Sequence, residues 1–166
     1  SRSATSCMRR RFVKSPSVFA DYYKQHDKFL ADSKHGYQTV GDIAYRDDEG
    51  FIYICDRKKD MIISGGMNIY PAEIEAALEA HPDIYEAAVF GIPSDDWGEL
   101  VHAVVVKREG SDLDEDGVKE FAREHLASYK IPRSISWLDE LPKTGSGKIL
   151  KRELRQPYWA GRTSNV

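Results

Sequence analysis

The sequence predicts an α/β fold, α+β in arrangement, in which helices cover a small sheet. Apolar residues recur at helical spacing over Ile74, Ala77 and Leu78, and again over Val118, Phe121, Ala122 and Leu126. Around those stripes lie β-branched and apolar runs at residues 86–92 and 101–107, which read as strands. A helix with one apolar stripe must bury it against another element, and the neighbouring strands supply the surface.

Taken in order, F-V-K-S-P-S-V-F at 12–19 reads as a short extended stretch, followed by a polar segment around 22–35. G-D-I-A-Y-R at 41–46 and F-I-Y-I-C at 51–55, joined by D-D-E-G, form a hairpin pattern. This first part is strand-rich and too small to bury both faces of a sheet by itself, so it reads as the end of a larger domain. A second part starts near Met61, the two meeting around 56–60. Pro71 suits the first turn of a helix that ends before His81-Pro82. Asp114 can cap the next helix. Residues 134–138 read as a further short strand and 149–155 as a terminal helix. No internal repeat or low-complexity segment is visible.

With 166 residues the chain can bury a core, and 41% hydrophobic with 31% charged residues describes an ordinary globular composition. A net charge of −3 gives no sign of general nucleic-acid affinity. No apolar run approaches the roughly 18 residues that a membrane span requires. Cys7 and Cys55 form no C-x-x-C and no disulfide framework, which points to a reducing cytoplasm. The five histidines show no metal-ligand spacing. The opening S-R-S-A-T-S-C-M-R-R-R superficially resembles a transit peptide. No signal-peptide apolar core follows it, so it reads as a cloning remnant or the ragged edge of a larger protein.

The chemistry-bearing stretch is L-P-K-T-G-S-G-K-I-L-K-R-E-L at 141–154. Pro142 fixes the approach, and Gly145 and Gly147 allow backbone geometries that side chains forbid. Lys148 then stands at the end of a flexible turn, a compact positive charge that can be carried to phosphates. G-S-G-K lacks the G-x-x-x-x-G-K-[ST] spacing of a Walker loop. By itself the segment reads equally well as a loop with a solvated lysine.

A second segment, D-R-K-K-D-M-I-I-S-G-G-M-N-I-Y-P-A-E-I-E at 56–75, changes that balance. Together, P-K-T-x-x-G-K and D-R-x-K-D-x-I-x-S-G-G-x-N-I-x-P-x-E-I-E resemble the carboxyl-terminal part of adenylate-forming enzymes over roughly residues 11–155. Within that family the chain looks most like a fatty-acyl-CoA synthetase. The resemblance implies that residues 1–58 end a large adenylating domain and 59–166 form a mobile small domain. It implies ATP, CoA and Mg²⁺ as reactants and cofactor, with the magnesium ligand upstream of this fragment, and a fatty acid as substrate. The fragment is expected to be catalytically incomplete without the missing N-terminal domain.

By the same resemblance Lys148 is the catalytic lysine of adenylate formation, where a cation must lie between carboxylate and α-phosphate. Asp42, in T-V-G-D, matches an aspartate that takes the ribose hydroxyls of ATP, since both carboxylate oxygens accept hydrogen bonds. Val40 stands where threonine is usual. Arg57 matches an arginine reaching the ribose region, and Lys59 occupies the hinge position. Gly65 and Gly66 fit the loop that approaches the pantetheine of CoA, and Trp97 a tunnel-wall indole. Tyr129 and Lys130 lie in S-Y-K-I-P, near the expected CoA nucleotide, outside the chosen set. Without the family, each has a plain reading: a strand-turn Asp42, a charged turn at K-K-D, a surface anchor at Trp97. A rival within the family is an adenylation unit that loads a carrier protein. A rival of another class is a non-catalytic nucleotide- or protein-binding module.

Overall fold

The computed structural model of the chain describes residues 9–15, 17, 20–39 and 41–162. The serine- and arginine-rich start through residue 8 with Cys7, Pro16, Val18, Phe19 and Val40 lie outside the described residues. Two compact units divide between Lys59 and Asp60.

The first unit holds β1 (Arg9–Arg10), α1 (His26–Ala31), β2 (Ser33–Lys34), β3 (Tyr37–Gln38), β4 (Asp42–Arg46) and β5 (Ile52–Arg57). β4 is the middle strand of an antiparallel sheet in the order β1-β4-β5. The expected hairpin is present, and its D-D-E-G turn closes through Asp47, which accepts Gly50 N at its carbonyl (3.1 Å) and Phe51 N at Oδ1 (2.8 Å). Ile43 and Ala44 are buried, whereas Ile52 and Ile54 on β5 are more than half exposed. That distribution fits a sheet too small to cover both its sides. The polar segment around 22–35 contains α1 and β2, and β2 pairs with β3. Of the extended stretch 12–19, Val13 bridges Gln38.

The second unit holds β6 (Ile62–Ser64), β7 (Met67–Ile69), α2 (Pro71–Glu79), β8 (Ile84–Ser94), β9 (Gly98–Lys107), α3 (Glu115–His125), β10 (Ser134–Trp137) and α4 (Lys151–Arg155). β9 is central. It pairs antiparallel with β8 along its length, while its other side takes β10 in parallel and meets β6 at Gly98. Alternation along these strands divides the core by face. Ala87, Val89, Val101, Ala103 and Val105 face Ile74 and Leu78 of α2 and Val118 and Ala122 of α3. Ala88, Phe90, Val104 and Val106 face Leu141, Ile149 and Leu154. Both faces are therefore covered, which explains the near-continuous apolar runs. Ile74 and Leu78 are fully buried, and each such side chain contributes about 1.5–3 kcal/mol.

Pro71 opens α2, and the Asp114 carboxylate accepts Gly117 N at 2.8 Å to cap α3. β8 and β9 run longer than the stretches 86–92 and 101–107 read from the sequence, and the terminal helix starts at Lys151, not at Ile149. Ile149 is held in a β-bridge with Lys143, and Leu150 N is bonded to Pro142 O at 2.7 Å, so helical geometry starts only afterwards.

Among the described residues one edge of β8 has no strand partner, and such an edge is one that proteins cover or charge. Glu75 and Glu79, one helical turn apart on α2, take the edge amides: Oε1 of Glu75 accepts Val89 N (2.7 Å) and Oε1 of Glu79 accepts Ala87 N (3.2 Å). Trp159 Nε1 donates to Gly91 O further along (2.9 Å).

Candidate functional site

The segment around Lys148 forms a hydrogen-bonded hairpin. Lys143 and Ile149 bridge its base, Thr144 N donates to Lys148 O (2.8 Å) and Gly147 N to Thr144 O (2.9 Å). Thr144 Oγ1 accepts Lys148 N (3.1 Å) and contacts Ser146 Oγ (2.9 Å). Of the two glycines read as permissive, Gly147 takes the left-handed conformation (φ +81°) and Gly145 does not.

Three lysines share this stretch, and the structure separates them. Lys143 Nζ lies 2.6 Å from Glu86 Oε1, and that hydrogen bond raises its pKa above the ordinary lysine value. Lys151 Nζ lies 2.6 Å from Glu75 Oε1. Lys148 is exposed at the turn, with no carboxylate in ion-pair reach among the described residues. A cation meant for an external anion needs that availability.

The second cluster surrounds Gly65 and Gly66, the two-residue turn between β6 and β7. Both have positive φ (+55° and +79°), the pattern of a tight hairpin turn. Gly65 N donates to Trp97 O (2.9 Å), and a Cβ on Gly65 would lie 2.7 Å from Trp97 Cε3. Gly65 therefore lets the turn lie against the indole. Gly66 meets nothing within 4 Å of an added Cβ, so its requirement is conformational and it does not approach Trp97. The indole is 54% exposed. Gly65, Met67, Trp97, Tyr129 and Arg133 line a depression of about 80 Å³. Sequence reasoning set Tyr129 aside and missed Met67 and Arg133, because pairing of Ser64 with Gly98 brings segments distant in sequence together. Lys130, beside Tyr129, is engaged with Glu73 Oε1 at 2.5 Å.

In the first unit, Asp42 and Arg57 are cross-strand partners at the end of the β4–β5 ladder. Asp42 O accepts Arg11 N at 2.9 Å, and Gly41 O accepts Lys58 N at 2.7 Å. The pair thus places a carboxylate and a guanidinium at one sheet end. Lys59 is exposed in a 3-10 turn, Lys58–Asp60. Among the described residues no group of three histidine, cysteine or acidic side chains could hold a metal.

Glu99 also escaped sequence reasoning. It is 1% exposed, accepts Ile63 N at Oε2 (3.0 Å) and meets Arg155 Nη2 at Oε1 (2.9 Å). Gly91 makes room for it, since a Cβ there would lie 2.5 Å from Glu99 Oε2. Breaking such a buried pair typically costs about 3–5 kcal/mol.

Residues 73–148 match the family model of the AMP-binding enzyme C-terminal domain. The chain carries the C-terminal domain of an AMP-binding, adenylate-forming enzyme. It is 43% identical over 144 residues to a 2-succinylbenzoate–CoA ligase of Geobacillus kaustophilus, covering 87% of this chain and 29% of the relative. The crystal structure of ATP-bound MatB from Rhodopseudomonas palustris superposes with a TM-score of 0.85 at 37% identity, over 92% of this chain and 30% of that one. A Mycobacterium tuberculosis fatty acyl CoA synthetase matches with a TM-score of 0.65 at 37% identity, over 95% of this chain and 31% of that one. The chain thus spans less than a third of each of these proteins.

Proposed function

We propose that this chain is the carboxyl-terminal part of an ATP-dependent acid–CoA ligase. The observation that supports the reading is Lys148, exposed at the end of a hairpin turn with no carboxylate in ion-pair reach among the described residues, while both flanking lysines are engaged. In the first half-reaction a carboxylate oxygen attacks the α-phosphorus of ATP and pyrophosphate leaves. The Lys148 ammonium lowers the repulsion between the two anions. Asp42 and Arg57 hold the ribose. In the second half-reaction the CoA thiol attacks the acyl carbon, the thiol proton is lost and AMP leaves with the bonding pair. Gly65 and Trp97 flank the pantetheine, and Lys59 is the hinge between the two arrangements. Residues 1–58 end the large domain, and 59–166 are the small mobile one. Magnesium, held by residues outside this chain, accompanies the ATP.

The acid we favour is 2-succinylbenzoate, on the 43% identity to a ligase of that name. A fatty acid is the second reading, supported by the 37% identity to a fatty acyl CoA synthetase. The test is ATP–pyrophosphate exchange by the full-length protein, offered each acid in turn, followed by CoA-dependent turnover. Exchange with 2-succinylbenzoate and thioester formation on adding CoA is the expected result. Exchange without thioester formation would favour carrier loading, and no exchange with any acid would favour a binding module.

A further inference from the structure

Lys148 can act only if its hairpin is held where the anions meet, and a five-residue turn does not fix itself. Its two legs are tied down by three ion pairs. The first leg is held by Lys143–Glu86 (2.6 Å) on β8. The second is held by Lys151–Glu75 (2.6 Å), where Glu75 also binds the Val89 edge amide. Arg155–Glu99 (2.9 Å) ends the second leg, with Glu99 buried and anchored to Ile63 N. The carboxylates come from α2, β8 and β9, so the hairpin base is fixed to the framework at separated points. Ile149 and Leu154 add apolar contacts to the same sheet.

We propose that Glu86, Glu75 and the Glu99–Arg155 pair are positioning residues, which fix the Lys148 hairpin for adenylate formation. Their charges do not reach substrate; they act through Lys148. The inference rests on the proposed role of Lys148. It goes beyond that role by assigning work to residues that could otherwise only hold the fold together.

A double-mutant cycle in the full-length protein separates positioning from folding. Single-turnover adenylate formation at saturating ATP and acid is measured for Arg155→Met, Lys143→Met and Lys151→Met, each alone and combined with Lys148→Ala. Arg155→Met should slow adenylate formation about tenfold, and either lysine variant about threefold, because small misplacements of a reacting group are costly. Thioester formation from supplied acyl-AMP should change less than about twofold, and Arg155→Lys should recover part of the loss. In the Lys148→Ala background none of the three should slow adenylate formation further. Unchanged single-variant rates, or losses that persist in full without Lys148, overturn the proposal. If Arg155→Met loses its circular dichroism signal, the two lysine variants, whose pairs are partly exposed, decide the matter. If Lys148→Ala itself leaves adenylate formation intact, the proposed function has failed, and that result is distinct from failure of positioning.

Discussion

Two tight hairpins in the second unit are built to opposite ends. The turn at 144–148 presents an exposed lysine on a base stapled by ion pairs, while the turn at Gly65–Gly66 presents no side chain and lies against an indole. One offers charge, the other offers backbone and an apolar wall. An anion-joining step needs the first, and passage of a slim, uncharged thiol arm needs the second. Under the proposed function, the two turns would serve different half-reactions.

The largest effect should come from Lys148→Ala. Removing one electrostatic contact to developing charge should slow adenylate formation about a hundredfold, or roughly 3 kcal/mol. Reaction of supplied acyl-AMP with CoA should survive. Gly65→Val comes next and should invert the pattern. The new side chain would meet Trp97 and sit at a φ of +55°, which β-branched residues avoid. Thioester formation should fall roughly tenfold or more, through displacement of the indole. Gly66→Ala sharpens the comparison, because its Cβ meets open space and only its φ of +79° is strained. Its loss should be the smaller of the two, with about 1 kcal/mol of stability removed. Equal effects at 65 and 66 would remove Trp97 from the argument.

The smallest effect concerns pH. His102 is buried, with Nδ1 2.8 Å from Ser134 Oγ and Nε2 3.1 Å from Tyr158 OH, and burial pushes its pKa below the ordinary value despite opposing contributions from Glu115 and Ser134. The unfolded chain therefore takes up a proton first on acidification. The stability contributed by the neutral ring is fully present above about pH 6.5 and is lost as pH falls from there through the folded pKa. Thermal melts of the chain at pH 8 and pH 5.5 should show this loss, and His102→Gln should reduce it. An unchanged pH dependence in that variant would assign the effect to other groups.

Much of this architecture is legible in the sequence because local rules and tertiary packing agree there. Pro71 and the Ile74–Leu78 spacing mark α2, Asp114 marks the cap of α3, and D-D-E-G marks the first hairpin. What stayed hidden depends on pairing between distant segments. The capping of the β8 edge by Glu75 and Glu79 needs the side-by-side placement of helix and strand. Glu99 reads as one more surface acid until Arg155, 56 residues on, is brought to it. The terminal helix starts at 151 and not at 149 because Ile149 is bridged to Lys143 and Leu150 N is bonded to Pro142 O, pairings made across the turn that the local pattern does not show. Within the candidate site, the motifs named Lys148, Gly65, Gly66 and Trp97, whereas the different surroundings of Gly65 and Gly66 and the ion pairs of Lys143 and Lys151 are visible only in the structure.

The most direct test measures both half-reactions in both turn variants of the full-length protein. Adenylate formation is followed as pyrophosphate release in a single turnover, and thioester formation is started from purified acyl-AMP and CoA. The expected result is crossed: Lys148→Ala loses the first reaction and keeps the second, while Gly65→Val keeps the first and loses the second. Parallel losses in the two variants would contradict it, because the two hairpins would then serve one step or merely hold the domain together.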